Sequence, residues 1–390
     1  MKEVVISVGM GPGQLVFIKQ LTKLGYEVVA FGKGKNSQDA ISLCYKTANI
    51  DTSNYKEAQE WIDSLGVQVL AVGSYAGGKA VQTVQALSNY YHVATQIPNS
   101  LIFNASKEKQ QKFLEMHNLS TITTWNSNDI TADKIRSCTT NTDFIIKPII
   151  GRGSEGIQIV SSDYLIKLVE NKQLAKNKII QTVVTGTEYR IVVIVQNKKI
   201  KLLAPIMRKS YRKTLFLGEL SYSDKHLIKI QKFVQSFIDK FCVINSIFKI
   251  DVIVSETSIN IIEMDIGVGG GMYYKTFVSR LYNMDLLTVY INLILNKPIN
   301  DFLINKKNLK MEYVFNHRPI PIKYDLDLCK QKLTKQFGDI EILVNLLHPE
   351  NKGGYCSNSD FIFTVIYDDK QNTDYASIID AFVNNQLFLI

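Results

Sequence analysis

The first hundred residues alternate short apolar runs with segments of helical periodicity. Residues 2–8 and 27–31 are runs rich in β-branched side chains, and residues 11–25 between them begin with a glycine turn and then space apolar side chains along one helical face. A run, a glycine turn and a helix in that order predict a βαβ unit. The pattern returns in residues 55–72 and 79–91. We therefore predict a small parallel sheet covered by helices, an α/β domain.

From residue 104 onward the pattern changes to that of an α+β fold. A helix is predicted over 106–119, and apolar runs at 143–150, 178–184, 188–196 and 198–207 predict strands separated by turn residues. Antiparallel hairpins therefore dominate this part of the chain.

Three further elements are predicted beyond the hairpins. Residues 221–241 form one long amphipathic helix, capped at Ser223 or Asp224, whose apolar positions include Ile228, Phe233 and Phe237. Residues 246–254 and 261–266 flank a polar turn and form a hairpin, and a last helix ends before Pro298.

Composition limits the classes of protein that this chain can belong to. It has 390 residues, of which 46% are hydrophobic and 21% charged, as in an ordinary globular protein of two or three domains. No apolar run reaches the roughly 18 residues of a membrane span, and the N-terminal apolar stretch is too short for a signal peptide. Five scattered cysteines without a CxxC pair read as reduced thiols. These features predict a cytoplasmic protein.

The charge balance favours anionic partners. The 45 basic residues exceed the 36 acidic residues by 9, and basic residues cluster in 196–201, 207–213 and 305–310. Nucleic acid or phosphorylated small molecules would suit such an excess, although a solvated lysine-rich surface explains it as well.

Glycines near the N-terminus have the wrong pattern for a dinucleotide site. Gly9, Gly11 and Gly13 have G-x-G-x-G spacing, and the second strand does not end in an acidic residue that could bind a ribose. We do not expect NAD to bind there.

A glycine-rich loop after residues 143–150 is the first candidate for phosphate binding. Lys147 ends an apolar run, and Gly151, Gly153 and Gly156 follow together with Arg152. Backbone N–H groups of such a loop can approach an oxyanion closely, and the two cations supply charge. A glycine-rich hairpin turn would explain the same residues.

Carboxylates in the hairpin of residues 246–266 are candidate metal ligands. If its strands pair across the polar turn, Asp251 lies roughly opposite Glu263, and Glu263 shares a face with Asp265. Three carboxylates would then converge, and hard oxygen ligands select Mg²⁺ or Mn²⁺. A solvated sheet face with ordinary acids is the alternative.

Residues 181–190 have the pattern of a nucleotide hinge. A strand is followed by Gly186, Glu188 and Arg190. Exposed backbone there would suit the edge of an adenine, and the acid would suit ribose hydroxyls.

Taken together, these motifs resemble the ATP-grasp superfamily over roughly residues 1–295. The resemblance implies a pre-ATP-grasp Rossmann-like domain (1–104), an ATP-grasp domain (105–298) with a lid subdomain at about 120–182, and a C-terminal α+β region (299–390). It also implies ATP-binding residues, namely Lys107, Lys147, the lid residues Gly151, Gly153, Ser154 and Gly156, the hinge residues Gln181, Thr182, Val183 and Val184, and Glu188 for the ribose. Asp251 and Glu263 would be metal ligands.

This sequence departs from the family pattern in two places. The usual E-x-N of the second metal position is Glu263-Met264-Asp265, and Asp265 can ligate a cation as asparagine does. An arginine that commonly follows a few residues later is missing. Arg190 and Arg208 are the candidate catalytic replacements, because similar strands of amino-acid-adding ATP-grasp ligases carry arginines at similar places, and Lys275 is a weaker candidate.

The resemblance implies an ADP-forming carboxylate–amine ligase that uses ATP and Mg²⁺, with Mn²⁺ as an alternative ion. The enzyme would join small amino-acid-like substrates through an acylphosphate. The resemblance implies no membrane partner, and a homodimer would be compatible with it. One alternative is a carboxylase or carbamoyl-phosphate-type enzyme that phosphorylates bicarbonate. Another, from a different class, is a basic nucleic-acid-binding module with Tyr211 and Tyr222 interleaved among lysines.

Overall fold

The computed structural model contains three β-sheets. It describes residues 1–77, 79–94, 101, 106–138, 142–150, 154–211, 215–268, 272–317, 325–338, 340–344, 358, 360–369, 378–380 and 383. Within this part of the chain, none of the helices is long and apolar enough to cross a membrane.

The N-terminal sheet has four parallel strands in the order β3-β2-β1-β4. Its strands are β1 (Glu3–Val8), β2 (Glu27–Phe31), β3 (Lys46–Ala48) and β4 (Gln68–Gly73), and its helices are α1 (Leu15–Lys23), α2 (Gln38–Leu43), α3 (Tyr55–Ser64) and α4 (Lys79–Tyr90). Strands β1 and β2 are buried almost throughout, which explains why they read as continuous apolar runs. The parallel α/β prediction is confirmed.

The second sheet is antiparallel, with strand order β5-β8-β6-β7. Its strands are β5 (Thr124–Asn126), β6 (Asp143–Pro148), β7 (Gln158–Ser161) and β8 (Lys178–Thr182), and the nearby helices are α5 (Lys107–Met116), α6 (Ala132–Arg136) and α7 (Ser162–Glu170). We call this sheet the lid sheet. The glycine-rich loop connects β6 with β7.

The third sheet has eight antiparallel strands in the order β13-β12-β9-β10-β11-β14-β16-β15. They are β9 (Thr187–Gln196), β10 (Lys199–Ser210), β11 (Leu217–Tyr222), β12 (Ser246–Val254), β13 (Ile259–Ile266), β14 (Leu309–Phe315), β15 (Ile340–Val344) and β16 (Phe361–Asp368). The associated helices are α8 (Leu227–Phe241), α9 (Met272–Tyr282), α10 (Leu286–Ile294) and α11 (Leu326–Phe337). Strands from the last ninety residues continue this sheet, because β14 pairs with β11.

The two faces of the eight-stranded sheet pack against different helices. On one face, Ile191 and Val193 of β9 belong to a core with α5 and α8. On the other face, Val192 and Ile194 belong to a core that includes Phe277 of α9 together with residues of α1 and α10. The second face therefore lies against the N-terminal domain, and we call it the inner face.

Helix α8 differs from its prediction at the N-cap and in the exposure of Ile228. Its N-cap residue is His226, with no side-chain cap, rather than Ser223 or Asp224. Ile228 is 72% exposed. Its buried face instead carries residues such as Ile230 and Phe237. The helix starts later than predicted because Asp224 contributes its backbone carbonyl, which accepts a hydrogen bond from Leu227 N.

Gly186 allows β9 to begin directly beside the end of β12. Its φ is +154°, and a Cβ at this position would lie 2.5 Å from the carbonyl oxygen of Val254. We expect Gly186→Ala to lower the free energy of unfolding by about 1–3 kcal/mol, because the neighbouring backbone must move. Urea unfolding measures this loss. Gly13→Ala is the matched control, since a Cβ at Gly13 meets no atom within 4 Å. Equal unfolding midpoints for the two variants would contradict this account.

Candidate active site

Charged side chains from three neighbouring strands lie together on the inner face. Side chains alternate between faces along a strand, so Glu188 and Arg190 share the face of Val192. In register, Asp251 of β12 lies between Arg190 of β9 and Glu263 of β13. The predicted pairing of Asp251 with Glu263 is confirmed.

Asp251 is bound by both ends of the Arg190 guanidinium. Arg190 Nε donates to Oδ1 at 2.8 Å, and its terminal nitrogen donates to Oδ2 at 2.7 Å. Burial alone would raise the pKa of Asp251, but the charge of Arg190, assisted by Lys249 and Arg208, outweighs burial and holds this pKa below its ordinary value. Asp251 is therefore ionised at neutral pH, as a cation ligand must be.

Arg208 of β10 makes the corresponding pair with Glu188. The distance from a terminal nitrogen of Arg208 to Glu188 Oε1 is 2.5 Å, and the other terminal nitrogen donates to the Leu215 carbonyl at 3.0 Å. Arg208 Nε is buried and has no hydrogen-bond partner within the described ranges. An anionic oxygen could accept from this remaining donor.

Lys107 lies at the first position of α5 and reaches Glu263. Ser106 caps the helix by accepting a hydrogen bond from Lys109 N. Lys107 Nζ lies 3.3 Å from Glu263 Oε1, and the backbone N–H of Lys107 donates to the carbonyl of Ile149 at 3.2 Å. Lys107 therefore links the lid sheet to the metal-binding candidates.

Two glutamines that sequence reasoning missed hold α5 against β13. Gln110 Nε2 donates to the Met264 carbonyl at 2.7 Å, and Gln110 Oε1 accepts from Met264 N at 3.0 Å. Gln111 Nε2 donates to the Ile262 carbonyl at 2.8 Å. A signal was available, because positions 107, 110 and 111 share one face of a helix.

Lys147 is buried at the end of β6. Burial lowers its pKa to about 8, the charge of Glu263 acts in the opposite direction, and Lys107 lowers the pKa further. No ion pair or hydrogen bond of its ammonium group is recorded among the described residues. The ammonium group of Lys147 therefore interacts electrostatically with both Lys107 and Glu263, and it can bind an anion.

The lid loop is described in part. Ser154 and Gly156 both have positive φ, +61° and +68°. The Ser154 hydroxyl accepts a hydrogen bond from Asn358 Nδ2 at 3.0 Å, which ties this loop to the C-terminal part of the chain. Gly151, Arg152 and Gly153 lie outside the described residues.

Part of the hinge segment, residues 181–184, is hydrogen-bonded within the lid sheet. Thr182 N donates to the Thr123 carbonyl and Val183 N donates to the Asp143 carbonyl at 2.9 Å. The side chain of Gln181 donates to the Thr124 hydroxyl. Strand β8 ends at Thr182, so Val183 and Val184 lie in the connection to β9.

Asp265 does not converge with the other two carboxylates. It pairs in register with Lys249, whose ammonium group binds Asp265 Oδ2. The described part of the chain contains no group of three His, Cys, Asp or Glu side chains close enough to hold a metal ion. The expected three-carboxylate cluster is therefore absent from these residues, because each acid pairs with a different cation: Asp251 with Arg190, Glu263 with Lys107, and Asp265 with Lys249.

The remaining pair still suits a magnesium ion. Mg²⁺ is usually bound by one or two carboxylates together with phosphate oxygens and water, so Asp251 and Glu263 side by side provide a fitting donor set. Lys107 would have to release Glu263, and a polyphosphate beside Lys107 would supply the replacement partner.

Comparison with known proteins identifies the domain. A sequence model of the ATP-grasp domain matches residues 104–266. No curated relative matches the sequence.

Solved structures with related folds extend over almost the whole chain. Phosphoribosylglycinamide synthetase from Anaerococcus prevotii superposes with a TM-score of 0.67 at 16% identity, covering 98% of both chains. L-amino acid ligase from Bacillus licheniformis gives 0.71 at 12% identity, covering 97% of both chains. N5-carboxyaminoimidazole synthetase from Staphylococcus aureus, complexed with ADP, gives 0.65 at 12% identity, covering 98% of this chain and 96% of that one. The predicted fold is confirmed: residues 104–266 match the model of the ATP-grasp domain, and almost the whole chain shares its fold with these synthetases and this ligase.

Proposed function

We propose that this chain, with its ATP-grasp domain in residues 104–266, is an ADP-forming carboxylate–amine ligase. The observation that carries the proposal is the charged cluster on the inner face, where Lys107 and Lys147 approach Glu263 from the lid side. Cations for a polyphosphate and carboxylates for a divalent ion are thus neighbours. This is the combination that phosphoryl transfer from a nucleotide requires.

The nucleotide phosphates would bind between the lid loop and the inner face. Lys107 and Lys147 would neutralise phosphate oxygens, while the backbone around Ser154 and Gly156, with Gly151 and Gly153 of the same loop, would cover them. The hinge residues from Gln181 to Val184 would face the adenine, and Glu188 the ribose. Thr182 and Val183 already use their N–H groups within the lid sheet, so other backbone groups of this segment would bind the adenine.

Asp251 and Glu263 would hold the metal ion. Bound Mg²⁺ supplies charge neutralisation between phosphate oxygens. Arg190 fixes the orientation of Asp251 through its two hydrogen bonds. Lys249 offsets the extra negative charge of Asp265 that distinguishes this chain from an E-x-N site.

The substrate carboxylate would attack the terminal phosphorus of ATP, and the bond to the leaving ADP would break. The amine would then attack the carbonyl carbon of the acylphosphate and release phosphate. Arg208 is better placed than Arg190 to stabilise the transferring group, because its buried Nε has no partner within the described ranges, whereas Arg190 is engaged at both ends by Asp251. The lid would exclude water that would otherwise hydrolyse the acylphosphate.

Bicarbonate as the acid remains the alternative within the same fold. The S. aureus enzyme named above and a biotin carboxylase domain from Hydrogenobacter thermophilus, whose structure contains bicarbonate, have this fold as well. Nucleic acid is disfavoured, because several cations of the basic runs pair with acids: Lys201 with Asp301, Arg208 with Glu188, and Lys209 with Glu219.

An ADP-release screen tests the proposal. With ATP and Mg²⁺, we expect ADP to form when a small carboxylate and an amine, such as two amino acids, are present together, and to stay near background with either alone, because a closed lid protects the acylphosphate. In a second series of assays, bicarbonate replaces the carboxylate and is tested with each amine. ADP release that requires bicarbonate, whatever carboxylate is supplied, would overturn the choice of acid. A chain that binds no Mg-ATP would overturn the function itself.

A further inference from the structure

Lys275 of α9 is a buried lysine with no acidic partner among the described residues. It is 4% exposed, and the buried lysines of the described ranges are Lys147, Lys249 and Lys275. Lys249 pairs with Asp265, and Lys147 faces the proposed phosphate site. For Lys275, the structure records no ion pair or hydrogen bond within the described residues. Its role is therefore not explained by the contacts of the nucleotide site.

The ammonium group of Lys275 lies on the ring of Tyr75. Nζ is 3.4 Å from the ring centroid. Tyr75 follows β4 of the N-terminal domain, and its position is fixed because its backbone N–H donates to Gln14 Oε1 at 2.8 Å. Tyr290 reinforces the same loop, since its hydroxyl accepts from Ser74 N and donates to the Ser74 carbonyl. The aromatic contact attracts the cation but brings no negative charge to balance it.

Lys275 lies on the same side of the sheet as the charged cluster. Helix α9 packs on the inner face through Phe277, in the core that also contains Val192, and Val192 is the register partner of Lys249. Burial, together with repulsion by Lys249, lowers the pKa of Lys275 to about 7. Lys249 and protonated Lys275 carry two positive charges, and Asp265, which pairs with Lys249, carries one negative charge. The positive charge of protonated Lys275 therefore has no counter-charge among the described residues.

We propose that Lys275, supported by the ring of Tyr75, binds a carboxylate-type anion, either the carboxylate of the acid substrate or bicarbonate. The inference rests on the proposed ligase function, for which an acid must lie near the transferring phosphate. It assigns a substrate-binding role to the N-terminal domain through Tyr75. It also gives a role to a buried cation beside Lys249.

Direct observation of the Lys275 amine tests the subsite without requiring turnover. The full chain is reductively methylated with ¹³C-formaldehyde, and the Lys275 resonance is identified by its absence in Lys275→Met. Acetate, bicarbonate and chloride are then titrated at constant ionic strength. We expect a saturable shift of this resonance with acetate or bicarbonate and none with chloride, and the tighter of the two binders identifies the source of the carboxylate. No saturable response to either anion would overturn the subsite.

Kinetics provide the second measurement once the screen supplies an acid. Lys275→Met is expected to raise the KM for the acid by roughly 10- to 100-fold while the KM for ATP is unchanged, because the lost contact is a charge-assisted one to the acid alone. Lys275→Arg and Tyr75→Phe, which retain the charge and the ring, should stay close to wild type, whereas Tyr75→Leu should resemble Lys275→Met. If Lys275→Met fails to fold, the comparison of Tyr75→Leu with Tyr75→Phe tests the subsite instead. An equal rise in both KM values would overturn the assignment.

The two proposals can fail separately. If wild-type chain binds Mg-ATP by calorimetry but the Lys275 resonance does not respond, the subsite is wrong and the ligase function stands. If the resonance responds but no nucleotide binds, the subsite is real and the ligase function is wrong.

Discussion

Glu263→Gln is expected to abolish ADP formation. Glu263 lies beside Asp251, and its Oε1 is 3.3 Å from Lys107 Nζ, so its carboxylate connects the proposed metal-binding pair with the proposed phosphate-binding lysines. A glutamine keeps the shape but loses the charge that a hard cation prefers. We expect turnover to fall on the order of a thousand-fold, equivalent to about 4 kcal/mol of transition-state stabilisation. ADP formation measured against Mg²⁺ concentration tests this.

Asp265→Asn is the matched control on the same strand. It also removes one negative charge, but Asp265 is more than half exposed and pairs with Lys249. Turnover should remain measurable with a raised Mg²⁺ requirement. Normal turnover of Glu263→Gln would remove Glu263 from the metal site and would contradict the assignment of the chain as an active ligase of this type.

Lys147→Met is expected to weaken nucleotide binding strongly. Lys147 is buried, and its ammonium group has no recorded carboxylate partner in the described part of the chain, so a bound phosphate would be its main counter-charge. Losing one partner of a buried charge pair costs about 2–5 kcal/mol, so affinity should fall by at least roughly 30-fold. Isothermal calorimetry with Mg-ATP measures the change.

Two controls separate this effect from general damage to the lid. Lys134→Met removes an exposed lysine of α6, and Thr182→Ala leaves the backbone of the hinge in place. Both should bind nucleotide nearly as wild type does. Equal affinity of wild type and Lys147→Met would remove Lys147 from the phosphate site.

Local patterns predicted those parts of the site that depend on one strand or one hairpin. Alternation along β12 and β13, with a single polar turn between them, placed Asp251 roughly opposite Glu263, and a register shift between Asp251 and Val252 brings the two into direct register. The Arg190–Asp251 pair was out of reach, because β9 and β12 are neighbours in the sheet but 61 positions separate these two residues in the chain. The order of strands in a sheet depends on how the helices and sheets pack together, and short-range periodicity in the sequence does not predict it.

The convergence of Asp265 failed for a related reason. Period-two alternation correctly put Asp265 on the face of Glu263, but it could not show that Lys249 on the neighbouring strand would bind it. The exposure of Ile228 has a different origin. It was named among the apolar positions of α8 with Phe233 and Phe237, but apolar residues occur on several sides of that helix, and packing against β9 and β12 decides which side is buried.

The contacts of Gln110 and Gln111 with β13 have a consequence for solubility. Among the described strands, β13 is the outermost of the eight-stranded sheet and has no neighbouring strand on its far side. An uncovered outer strand offers its backbone to strands of other molecules and can start aggregation. The side-chain amides of α5 occupy the N–H and carbonyl of Met264 and the carbonyl of Ile262, in place of such a strand. The helix that carries Lys107 of the proposed nucleotide site therefore also protects the strand of Glu263 from intermolecular β-pairing.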